Sequence, residues 1–341
     1  MRSTLALSTL ALLGASSFAQ EPVLDRGEAR AVLRRFAGTW EVDHRTRTPE
    51  GETSSRGIDR VRALHDGAWM WSDYASREAQ PGFEGHLLLG WNADTEQFVS
   101  CWIDSASTRP TLARGSWDTE RTALVMQGRL ALPDGQEHPH RVEMRFEANG
   151  HRTDTFWLLG EGGESELLMR SECARVAGER ADALPSFAPL KGEVAAPLAP
   201  YVGGWQGEIE ILAAGQPVPG RVSERQRALC GGRWLWGTLD LEIGGAPSVL
   251  HCVHGYDPAR EEFFALWIDG AGEHFDPGRG GLDAAGVRQL AGMGVDELGR
   301  PAPWTESTEW VSADRRLVRW SLDAEDDVYD LQSRTELVRQ P

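Results

Sequence analysis

Leu33-Arg-Arg-Phe-Ala-Gly38-Thr-Trp40 is answered 165 positions later by Leu198-Ala-Pro-Tyr-Val-Gly203-Gly-Trp205. The register holds along the chain. Gly67-Ala-Trp69-Met-Trp71 stands over Gly232-Arg-Trp234-Leu-Trp236, and Gly90-Trp91-Asn92 over Gly255-Tyr256-Asp257. Phe98 and Trp102-Ile103-Asp104 stand over Phe263 and Trp267-Ile268-Asp269. Near the end, Arg170-Ser171-Glu172 matches Arg334-Thr335-Glu336 at an offset of 164. Seven of the 14 tryptophans fall in each copy. Self-similarity at this period and length means two like domains, each with its own core.

Between the copies, Pro185, Pro189, Pro197 and Pro200 stand among Ala, Gly and Glu. Such density opposes both helix and central strand, so residues 177–197 are expected to be an extended linker. Copy 1 then spans 25–176 and copy 2 spans 198–341. Copy 1 opens with a short amphipathic helix, with Ala29, Val32, Leu33 and Phe36 on one face. Short apolar runs follow, divided by turn signals such as His65-Asp-Gly67, Asn92-Ala-Asp94 and Pro133-Asp-Gly135. About ten strands per copy with short connections predict an all-β fold of two tandem antiparallel up-and-down β-barrels, which close on themselves and leave no edge. A two-sheet sandwich is the alternative.

Each copy also opens on Gly-x-Trp and carries an Arg in its last strand. In a closed up-and-down barrel those strands are neighbours. Arg170 is therefore expected over Trp40 and Arg334 over Trp205, each a cation–π closure of the barrel. This arrangement resembles the signature of the calycins, the lipocalin and fatty-acid-binding group. The Gly255-Tyr-Asp257 and Trp267-Ile-Asp269 strings, with Glu224-Arg225 and Gly231-Gly232-Arg233 upstream, resemble the bacterial family catalogued as domain of unknown function 1579. Copy 1 departs from it at Trp91-Asn92 and His65-Asp66-Gly67. The resemblance implies a calycin-like barrel and no assigned activity.

The first residues predict export. Arg2 is followed by an apolar stretch from Leu5 to Leu13, and Ser17-Phe-Ala19 places small residues before Gln20. That is a signal-peptide pattern over residues 1–19, too short for a membrane anchor, and it implies a periplasmic or secreted protein. No later run is apolar for long enough to span a bilayer. The net charge is −17, and residues 198–341 alone carry 23 acids against 13 arginines and no lysine. Phosphate backbones would repel such a chain, which argues against nucleic acid as a partner. Cys101, Cys173, Cys230 and Cys252 are even in number in an oxidising compartment, which permits disulfides, but they lie in apolar runs with no bridging or zinc-type spacing, and buried free thiols are the favoured reading.

Strand parity selects the candidate site. Phe98, Trp102 and Asp104 share one face, opposite Val99, Cys101 and Ile103; Phe263, Trp267 and Asp269 repeat the pattern. An aromatic face ending in a carboxylate suits a cavity for a small apolar or amphipathic ligand. His86 and His251 correspond on the strand before it and join the candidate set. The cofactor is left open, no metal is expected, and nucleophile elbows, phosphate loops and zinc-protease motifs are missing. A binding protein is the leading expectation. An enzyme using Asp104 and Asp269, or an interaction module with closed cores, are its rivals.

Overall fold

The computed structural model describes residues 24–48, 51–76, 82–132, 136–160, 162–184, 189–213, 216–270, 274–295, 300–323 and 331–341. The expected signal peptide and the Pro133-Asp-Gly135 turn lie outside them. Helix α1 (Arg26–Arg34) leads into ten strands: β1 (Gly38–Thr48), β2 (Gly51–Leu64), β3 (Trp69–Ser76), β4 (Phe83–Asn92), β5 (Gln97–Asp104), β6 (Thr111–Asp118), β7 (Ala123–Ala131), β8 (Glu137–Phe146), β9 (Arg152–Leu159) and β10 (Ser165–Val176). A short helix α2 (Glu179–Ala183) precedes the second set: β11 (Gly203–Ala213), β12 (Gln216–Leu229), β13 (Trp234–Ile243), β14 (Ala246–Asp257), β15 (Glu262–Asp269), β16 (Phe275–Leu282), β17 (Arg288–Val295), β18 (Pro301–Ser312), β19 (Arg315–Leu322) and β20 (Leu331–Arg339). Every strand pairs antiparallel with the next, and β10 returns to β1 as β20 returns to β11. The result is two closed ten-stranded up-and-down barrels. Among the described residues, no helix is long and apolar enough to cross a membrane.

Local chemistry sets each piece. Asp25 and Glu28 form a reciprocal capping box that starts α1, whose Ala29, Val32 and Leu33 are buried against barrel 1. Copy 2 replaces that helix by a single 3₁₀ turn, Ala199–Tyr201, with Tyr201 buried in the same role. The linker differs from the extended expectation, because α2 forms in the proline-free stretch before Pro185.

The barrel closure corrects the expected arginines. Arg170 faces Arg45 across the seam, pairs with Glu172 and is 46% exposed. Arg334 is exposed too. The residues opposite the tryptophans are Arg175 and Arg339, whose guanidinium carbons lie 4.4 and 4.3 Å from the Trp40 and Trp205 rings. Arg339 also donates to the carbonyls of Pro200 and Val202, and Arg175 to those of Arg35 and Ala37. Each indole in turn donates to the segment before its strand, Trp40 to Phe36 and Trp205 to Tyr201. The last strand thereby clasps the first and its preceding turn. The error was one of register: Arg175 and Arg339 share the 164 offset and sit five residues further along.

The outer faces of β3, β4 and β5 pack on those of β13, β14 and β15. Trp69, Trp71, Leu88, Val99, Cys101 and Ile103 meet Trp234, Trp236, Val253, Phe264, Leu266 and Ile268 in one buried cluster. Each residue of the first group is the 165-offset counterpart of one in the second, so the barrels face each other across a pseudo-twofold axis. Trp71 and Trp236 touch at that axis, with ring centroids 4.0 Å apart. Trp69 donates to the Asp269 carbonyl and Trp234 reciprocates to that of Asp104. Burying this many aromatics at about 25 cal/mol per Å² is what joins the copies.

The repeated glycines have a steric cause here. A Cβ on Gly90 would lie 2.0 Å from the Trp69 ring, and one on Gly255 would lie 2.3 Å from that of Trp234. The glycines let each interface indole lie flat across its neighbouring strand. All four cysteines are buried and free.

Candidate functional site

Each barrel encloses a cavity of about 520 Å³. In barrel 1, Phe98 packs in the core beside Trp91, and Trp102 lines the cavity next to Leu87, Leu89 and Tyr74. The Trp102 indole donates to Asp104, whose other oxygen accepts the backbone N–H groups of Ala106 and Ser107. Asp104 therefore caps the turn after β5 and anchors its neighbour. In barrel 2, Phe263 packs in the core against Tyr256, while Trp267 and Asp269 line the cavity. The Trp267 Nε1 is buried without a partner, unlike that of Trp102.

His86 and His251 stand outside both cavities, which removes them from this site. Leu87 and Leu89 point inward on β4, as Leu250 and His254 do on β14, so parity sends 86 and 251 to the interface. His86 stacks on Trp71 and His251 on Trp236.

Sequence reading missed the charged floor of each barrel. Arg152 is buried over the Trp40 ring at 4.9 Å and pairs with Asp154 at 2.9 Å and Asp59 at 3.4 Å. Its counterpart Arg316 lies 4.5 Å from the Trp205 ring and pairs with Glu224 at 2.6 Å. The repeat held the signal, since Asp59 and Glu224 stand 165 apart and Arg152 and Arg316 164 apart. Barrel 2 adds a second buried pair, Arg288 with Glu306 at 2.5 Å.

Barrel 2 is the more polar inside. His254 is 2% exposed, and neither ring nitrogen has a partner. Burial, then the charges of Arg288 and Arg316, drive its pKa well below the ordinary value, so the ring stays neutral. The corresponding position in barrel 1 is Leu89. The Nε1 groups of Trp267 and Trp304 and the Nε and Nη1 of Arg288 are also buried and unpartnered. Among the fully buried, unpartnered side-chain atoms of the described residues around this cavity, donors therefore outnumber acceptors. Asp276, on the cavity wall near His274, Asp269 and Asp94, has its carboxyl pushed up to about 6 by burial.

A family model described as a protein of unknown function (DUF1579) matches residues 25–175 and again 192–331. The chain belongs to this family. Both DUF1579 copies here form complete barrels, and each match takes in the tryptophan and buried acid of its barrel floor. No curated protein matches the chain. Among solved structures, a protein of unknown function from the DUF3598 family of Nostoc punctiforme PCC 73102 is 9% identical, with 92% of this chain and 99% of that one covered at a TM-score of 0.24. A tryptophan-to-alanine mutant of the vaccine antigen transferrin binding protein B from Haemophilus parasuis Hp5 is 7% identical, covering 89% and 75% at a TM-score of 0.23. Likenesses this low have no bearing on function.

Proposed function

We propose that the chain binds small amphipathic molecules inside its barrels, and that barrel 2 takes a ligand with an acceptor-rich head such as a carboxylate. The observation that carries this reading is the set of orphaned donors at the cavity: Trp267 Nε1, Trp304 Nε1 and the free nitrogens of Arg288. A buried unsatisfied donor costs about 1–3 kcal/mol, which an acceptor entering the cavity would recover. Aliphatic walls from Ile209, Ile211, Leu239 and Leu241 suit the tail. Barrel 1, with Trp102 already satisfied and Leu89 in place of the histidine, suits a less polar ligand.

A fluorescent aliphatic carboxylate is the direct probe. Trp267→Phe keeps an aromatic side chain and deletes the donor, and is expected to weaken binding by roughly tenfold, the worth of about one hydrogen bond to a charged group. The matching alcohol should lose much less. No saturable binding, or equal binding by Trp267→Phe, would reject the reading and favour closed structural cores.

We further propose export, on the basis of the N-terminal pattern through Ala19. N-terminal analysis of protein from the native host should find a first residue near Gln20; an intact Met1 would refute it.

A further inference from the structure

His86 has a different task from that of a cavity residue. Glu84 and His86 lie two apart on the outer face of β4, and Cys230 reaches them from the corner between β12 and β13 of the other barrel. One donor atom from each lies within 4.8 Å of the other two. His86 is 3% exposed and its Nε2 has no hydrogen-bond partner; Glu84 Oε2 is also buried and unpartnered. The other ring nitrogen, Nδ1, is 2.9 Å from Asp73 Oδ1. Asp73 is held in turn by the Trp71 indole and by Arg62. Nδ1 thus donates to a fixed carboxylate, and the Nε2 lone pair is left facing Glu84 and Cys230. A carboxylate behind the far nitrogen is the usual support of a metal-binding imidazole.

We propose that Glu84, His86 and Cys230 form a transition-metal site bridging the two barrels, with Asp73 positioning His86. The donor set decides the class of ion. Thiolate and imidazole favour a zinc-like cation and disfavour calcium or magnesium, which take oxygen ligands. Bond lengths of about 2.0–2.3 Å place tetrahedral ligand atoms roughly 3.5 Å apart, so the cluster contracts by about an ångström on binding. Glu84, whose side chain has the most rotatable bonds of the three, supplies that movement. The carboxylate and a thiolate balance the dication, and the thiol proton passes to solvent.

The pseudo-twofold axis supplies an internal comparison. The positions related to Glu84, His86 and Cys230 are Val249, His251 and His65. There the two imidazoles approach with ring centroids 4.9 Å apart, but valine replaces the carboxylate. Three ligand types meet on one side of the axis and two histidines on the other, so one strong site per chain is expected.

Cobalt(II) is the probe, because a thiolate ligand gives it a near-ultraviolet charge-transfer band. Full-length protein stripped with a chelator should bind one Co²⁺ with that band, and Zn²⁺ should displace it. Cys230→Ser should abolish the band, whereas Cys101→Ser should keep it. His86→Gln should weaken binding, and Asp73→Asn should do so by about 10–100-fold. Circular dichroism identifies any variant that fails to fold. If Cys230→Ser does so, the band and its loss of affinity in folded His86→Gln decide the matter. No thiolate band in the native chain, a band surviving Cys230→Ser, or unchanged affinity in His86→Gln overturns the site.

Discussion

Arg316→Met is expected to destabilise barrel 2 by about 3–5 kcal/mol, the cost of leaving a buried charge without its partner. Arg316 is 2% exposed and lies within cation–π reach of Trp205, Tyr201 and Trp310, with Glu224, 5% exposed, as its ion partner. Removing the cation strands Glu224 in the buried floor beside the Arg288–Glu306 pair, where the only other hydrogen bond to its side chain among the described residues is donated by Gln226. The melting temperature should fall by roughly 10 °C for a domain of this size. Adding Glu224→Gln removes the orphaned charge and keeps an acceptor for Gln226, so the double variant should recover more than half of the loss. That recovery separates a charge effect from a cavity effect, since both variants delete the same guanidinium. A single variant melting within a degree or two of the native chain would show that the pair contributes little.

The repeat made the architecture legible because its landmarks are steric. Gly90 and Gly255 recur because indoles lie across them, and Trp71 and Trp236 recur because they meet at the axis. Parity along β5 and β15 likewise placed Trp102 and Trp267 on the inward faces. Three features stayed hidden, each for its own reason. The closing arginine depends on strand register, and either of two arginines in β10 satisfied the pattern until pairing put Arg175 opposite Trp40. The floor pairs join residues about 93 positions apart, Asp59 to Arg152, and an acidic chain offers many equivalent candidates. The grouping of Glu84, His86 and Cys230 depends on how two barrels dock, which no pattern within one copy encodes. Histidines at matching positions were visible, but their side of the sheet required the parity of a strand apolar on both faces.

Acidification from pH 7.5 to 5 should destabilise the fold, and His254→Leu should remove a large part of that sensitivity. Burial lowers the pKa of His44, His65, His140, His251 and His254, with His251 brought down to about 4. The sign follows from the reference state. In the unfolded chain these rings take up protons near pH 6.5, while the native fold excludes them, so stability is full above that value and falls below it. A histidine that stays neutral in the fold costs about 2 kcal/mol at pH 5. Asp276 acts the other way: its native carboxyl, raised to about 6, binds a proton before the unfolded one and returns roughly 1 kcal/mol over the same range. Asp73, lowered to about 2, becomes a liability only below about pH 4. Histidine protonation therefore dominates between pH 7 and 5. His254 is the cleanest single contributor, because it is fully buried between two arginines and its counterpart in barrel 1 is already Leu89. Urea denaturation at pH 7.5, 6 and 5 should show native stability dropping by several kcal/mol. The His254→Leu chain should lose about 2 kcal/mol less. Parallel curves for the two proteins would mean that His254 takes its proton without unfolding, with Arg288 and Arg316 moving away to admit it.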